Sequence, residues 1–332
     1  AVDACPAGST NFTDIVSLSP GVYSVDLSAA GSDLDIGGSI EIRGAGPGYT
    51  TVEAIGGAVD RLIDLQAGAE VVLEQVTLRG GNTAGSGGVV RIDTLAVAEF
   101  RDVEILDGTA AKGGGLYSEG GITLIRSRVA GNRTSPGSAG PGGGIASEDG
   151  TLSLRDVEVS NNQADGDGGG IHVAGAPATF LSHVRARDNI AGVGGGGLHQ
   201  AAPDFVIEWS EFARNQATIG GGMRATAAGE LTKSAFFDNV ATLRGGAIAD
   251  EGDGIYRFST ITRNVAPTGA GIHADSPMMT LLDSNTIARN VGEGVHNASG
   301  AFFENGLVAE NSGGNCAGSA PMVGAFNLED TD

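Results

Sequence analysis

Four of the five histidines in this sequence occupy the same place in a repeated unit. That place follows a glycine cluster and its closing aliphatic residue, and along the chain it reads Tyr117, Ala146, His172, His199, Arg224, Ala249, His273 and His296. Imidazoles on adjacent strands, about 4.8 Å apart, would offer nitrogen ligands to a transition metal or repel one another once protonated near about pH 6. The spacing equally suits ring stacking beside a glycine turn, and no Cys or carboxylate in the column completes a tetrahedral set. Hard oxygen ligands of the kind calcium prefers gather in two acidic turns, Asp165 with Asp167 and Asp250 with Glu251 and Asp253. Calcium is therefore a possible cofactor, set against the plainer reading of solvated acidic turns.

Catalytic patterns are sparse. A glycoside hydrolase needs two carboxyl groups roughly 5–9.5 Å apart across a groove, and a lyase needs a base beside a group that neutralises a uronate. Asp156, Asp188 and Asp238 fall near strands, but most charges in these columns sit opposite a partner of the other sign. No G-x-S-x-G nucleophile elbow occurs, and the glycine runs lack the Lys-Ser/Thr of a phosphate loop.

These residues are positioned by an internal repeat. Clusters such as Gly142-Gly143-Gly144-Ile145, Gly168-Gly169-Gly170-Ile171 and Gly195-Gly196-Gly197-Leu198 recur in step with Asn132, Asn162, Asn189, Asn215, Asn239, Asn264 and Asn290, whose intervals are 30, 27, 26, 24, 25 and 26. Apolar residues stand eight and three before each Asn, with a mostly small or apolar one five before. The last two are two apart and so share an inward face. Alternation rich in Val, Thr, Ile and Phe favours strands over helices. The pattern predicts an all-β, right-handed, single-stranded parallel β-helix of about 25 residues per coil. Inward Asn amides would form a hydrogen-bonded ladder along its axis. Outward columns of alternating charge, Glu104, Arg128, Glu158, Arg185 and Glu211 in one and Asp188, Arg214, Asp238 and Arg263 in another, predict exposed ion-pair ladders.

The segments Asp33-Leu34-Asp35-Ile36, Ile40-Glu41-Ile42-Arg43-Gly44-Ala45-Gly46, Val72-Leu73 and Val76-Thr77-Leu78, with the Gly-Gly-Gly-Ile and Asn-x-Ala units, resemble the bacterial CSLREA-type and choice-of-anchor β-helix proteins and the polymorphic outer-membrane protein repeats. The N-terminal stretch departs from that pattern, offering only Cys5-Pro6. The expected organisation is a capping segment and first coil over 1–32, the β-helix over 33–310, and a C-terminal segment over 311–332. Cys5 and Cys316 would lie too far apart on one solenoid for an internal bridge.

A net charge of −21 with 19 basic residues leaves no basic stripe for nucleic acid or anionic lipid, and no apolar run approaches a membrane span. No signal peptide is visible at Ala1, so on the expectation of an exported protein any export signal has already been removed. Sequons occur at Asn11, Asn132 and Asn297. The expected role is non-catalytic and extracellular or cell-surface: adhesion, architecture or glycan binding, with a glycan or another surface protein as partner. A polysaccharide lyase or hydrolase is the alternative, and end-to-end self-association into a filament is a third.

Overall fold

A computed structural model describes residues 13–318 and 328–329 of the chain. The repeat closes into a parallel β-solenoid of about 11 turns with about 26 residues per turn. Strands of successive coils pair in parallel and in register, so that Leu124 lies beside Leu154, Leu154 beside Leu181, and Leu181 beside Ile207. All four side chains are fully buried. One apolar cluster runs from Leu27 to Val308 along the axis. Cys5, Asn11 and the remainder of the expected N-terminal cap lie outside the described residues, as does most of the segment after Gly318.

Three strips form the wall. A 12-stranded strip carries the residues after each glycine cluster, a 6-stranded strip follows the Asn column, and a 23-stranded sheet gives most coils two short strands. The glycines are required by close approach. Gly168 has φ +68°, and a Cβ on Gly169 would stand 2.5 Å from the Gly196 carbonyl oxygen of the next coil.

Two further corners per coil place non-glycine residues in the left-handed region, at a cost of about 1 kcal/mol or more each. One column contains Asn161, Asp188, Arg214, Asp238 and Arg263. The other contains Arg126, Asp156, His183, Trp209, Lys233 and Phe258, with φ between 47° and 55°.

Hydrogen-bonded ladders inside each corner hold these conformations. At the first, Asn215 Nδ2 donates to Asn239 Oδ1 at 3.0 Å and to the Ala186 carbonyl at 2.9 Å, while the Asn215 backbone N–H donates to Asn239 Oδ1 at 3.0 Å. The ladder joins all seven Asn residues and continues through Asn311 to Asn315. At the second corner a serine column does the same. The Ser210 hydroxyl donates to the Glu208 carbonyl at 2.9 Å, spanning Trp209, and accepts from the Val184 N–H at 3.1 Å; Ser234 and Ser259 repeat the arrangement.

Candidate functional site

The histidine column points outward, between inward Ile171 and Val173 for example, but it is not a solvent-facing surface. His172, His199 and His273 are only 8%, 7% and 6% exposed. His172 Nδ1 and His199 Nδ1 are 3.1 Å apart, and the latter stands 4.0 Å from Asp167. His273 and His296 stack at 5.0 Å, and His296 Nδ1 meets Glu293 at 2.7 Å. Burial drives the pKa of His172, His199 and His273 down to about 4. The second cause is the neighbouring histidine for His172 and His273, and Arg224 for His199.

The acidic turns do not converge on one point. Asp167 pairs with Arg224 at 3.4 Å, and Glu251 pairs with both Arg224 and Arg244. Asp165 accepts from the Gly137 N–H, and Asp253 from Ser276, Met278 and Met279. Asp250 turns into the core, where it accepts from Gly252, Gly254 and Thr280; burial pushes its carboxyl upward. The acids brought together are instead Asp33, Asp35 and Asp64, with ligand atoms within 4.8 Å of one another. Arg61 and Arg91 already pair with Asp64 at 2.8 and 3.0 Å. Among the sequons, Asn132 and Asn297 are buried.

The serine corner holds a feature that sequence reasoning missed. Its outward column presents Trp209, the single tryptophan of the chain, 53% exposed. His183 stacks parallel to it at 6.3 Å between ring centroids, and Lys233 Nζ lies 4.7 Å above the indole. Two open troughs of about 310 and 270 Å³ meet here and share Asp156, His183 and Arg185. They form a furrow along several coils, with Trp209 in the second trough. Reading the residue six before each Asn would have exposed the signal, since that column runs Arg126, Asp156, His183, Trp209, Lys233, Phe258.

The charged columns form pairs rather than continuous ladders. Arg214 meets Asp188 and Arg263 meets Asp238, each at 2.8 Å. In the other column Arg128 reaches Glu104 and Glu158 at 3.8 and 3.6 Å, but Glu211 turns to Arg187 at 3.4 Å. Arg187 lies two residues along the strand from Arg185 and outcompetes it for the carboxylate, so the predicted ladder breaks at Arg185.

Fold and furrow together define a parallel β-helix protein with an aromatic, charged surface groove. The Chlamydia polymorphic membrane protein repeat matches residues 156–174, the coil that begins at Asp156 and includes Asn162 and His172. Among the described residues no helix is long and apolar enough to cross a membrane. No curated protein matches the chain. Among solved structures it is similar to the A-modules of two mannuronan C-5 epimerases from Azotobacter vinelandii, AlgE6 and AlgE4. Identities are 15% and 13% and TM-scores 0.53 and 0.52, each covering 96% of this chain and 91% of the other. This likeness is one of fold.

Proposed function

We propose that the protein is a surface-associated β-helix that binds polysaccharide without turnover, using the furrow at the serine corner. The observation that carries this reading is Trp209, held half-exposed in a left-handed backbone conformation between His183 and Lys233. Exposed indole area opposes stability, so its placement in a groove beside charged side chains favours a binding role. The exposed part of the indole offers an apolar contact to the C–H groups of a pyranose ring, and polar side chains along the walls reach the hydroxyls. Coils repeat at about 4.8 Å, so a wall of stacked coils presents regularly spaced contacts to a regular polymer.

The non-catalytic part of the reading is supported by where the strongly perturbed groups lie. His172, His199 and His273 are buried on another strip, and Asp250 and Tyr256 are inside the core. Glu158 and Glu211, two carboxylates of the furrow, are held in ion pairs. The fold of the epimerases is compatible with polysaccharide as partner but assigns no chemistry here.

Affinity electrophoresis of the full chain against a panel of soluble polysaccharides tests this. Retardation by at least one polymer is expected, with loss in Trp209→Ala and no release of unsaturated products or new reducing ends. Retention unaffected by Trp209→Ala would remove the furrow from the account, and product release would replace binding by catalysis.

A further inference from the structure

The distribution of unpaired cations points to the chemistry of the ligand. The chain has 19 Lys and Arg against 40 Asp and Glu, so a basic side chain on this surface has acidic neighbours in excess. Fifteen of the 19 are indeed in ion pairs. The four with no ion pair among the described residues are Arg133, Arg155, Arg185 and Lys233. Arg133 is in the 6-stranded strip and leans on Thr109. The other three belong to the serine corner.

Their placement is specific. Arg185 and Lys233 line the trough that contains Trp209. Arg155 ends the strand Leu152–Arg155 that runs into the corner at Asp156. Arg155 and Arg185 stand on adjacent coils, and Lys233 two coils beyond Arg185. At about 4.8 Å per coil, the unpaired charge spans a length of two to three sugar residues in an extended chain. All three side chains are exposed. Glu158 and Glu211, the carboxylates in register with Arg185 on the two neighbouring coils, are held by Arg128 and Arg187, which leaves Arg185 free to meet a ligand.

We infer that the furrow binds a polyanionic polysaccharide, one whose sugar residues carry carboxylate or sulfate groups, with Arg185 and Lys233 as the anion contacts on either side of Trp209. This rests on the glycan reading above and narrows it. A neutral glycan would leave the cations solvated, whereas an anionic one forms charge-assisted hydrogen bonds to Arg185 and Lys233 while a ring packs against the exposed part of the indole. Global repulsion from a chain of net charge −21 opposes any polyanion, so recognition must be local to this corner. Asp156, the exposed acid where the troughs join, sets the negative limit of the site.

The test is isothermal titration of the full chain with polygalacturonate, dextran sulfate, unmodified dextran and poly-L-glutamate. Controls are the double variant Arg185→Gln/Lys233→Asn and the single variant Trp209→Ala; Asn suits the left-handed φ of Lys233. Binding to polygalacturonate or dextran sulfate above dextran is expected, and whichever binds more tightly names the anion. The double variant should lose roughly tenfold or more of that affinity, with an unchanged circular dichroism spectrum. If dextran binds as well and the double variant behaves as wild type, the anion inference fails and the glycan reading stands. Equal binding of poly-L-glutamate, or no binding of any polymer, defeats both.

Discussion

The two left-handed corners of each coil use one backbone device for different ends. At the asparagine corner the inward Asn donates three hydrogen bonds, two from its side-chain amide and one from its backbone N–H, to neighbouring coils, and outward residues such as Asp188 and Arg214 neutralise each other. At the serine corner a smaller hydroxyl bridges the turn; Arg126 pairs with Asp102 in one stretch, but further along the outward residues are His183, Trp209, Lys233 and Phe258, with no carboxylate pairing Lys233 among the described residues. The first corner is saturated; the second leaves binding capacity facing water. A corner that is complete within the chain stabilises it, whereas one left incomplete is where a ligand fits.

The largest effect should come from the saturated corner. Asn215→Ala removes the acceptor of the Asn189 amide and leaves the Ala186 carbonyl without its donor, so the urea midpoint should fall by an amount equivalent to about 3 kcal/mol or more. Polysaccharide affinity of the folded fraction should be unchanged. A loss of affinity in a folded Asn215→Ala protein would show that the corners are not independent.

Acidification is a change of condition rather than of one side chain, and it acts away from both corners. His172 and His199 titrate near about 4 in the native chain and about 6.5 when unfolded. Between those values the unfolded chain binds more protons, so stability is full above the unfolded pKa and falls as pH drops toward 4, by at most about 1.4 kcal/mol per pH unit per histidine. The double substitution His172→Asn/His199→Asn should flatten the dependence of the urea midpoint between pH 6.5 and 4.5. An unchanged slope would show that burial does not keep this pair neutral.

The smallest effect on stability should come from the incomplete corner itself. Trp209→Gly relieves a left-handed φ of 51° but loses the contacts with His183 and Lys233, so stability should stay within about 1 kcal/mol of wild type. Binding should nevertheless be lost, which is the separation of roles the comparison implies.

Much of this architecture was legible in the sequence because inward residues obey a period. Leu154, Leu181 and Ile207 stack as the spacing requires, and the Asn column forms its ladder because an amide can donate and accept along the axis. Outward residues have no such constraint. The histidine column was visible but its burial was not, because an outward position on a strand reads as solvent-facing from spacing alone. Arg185 was placed in a ladder by alternation of sign, yet Glu211 had a second cation within reach at Arg187. Trp209 went unnoticed for a related reason: its column mixes Arg, Asp, His, Trp, Lys and Phe, and only the shared left-handed turn unites them.

Because Trp209 is the sole tryptophan, its fluorescence reports on the furrow and nothing else. Titrating the native protein with polygalacturonate or dextran sulfate while following emission therefore tests the central claim most directly. A saturable blue shift, as the half-exposed indole is covered by a sugar ring, is the result the account predicts. Binding detected by calorimetry with an emission maximum that does not move would contradict it.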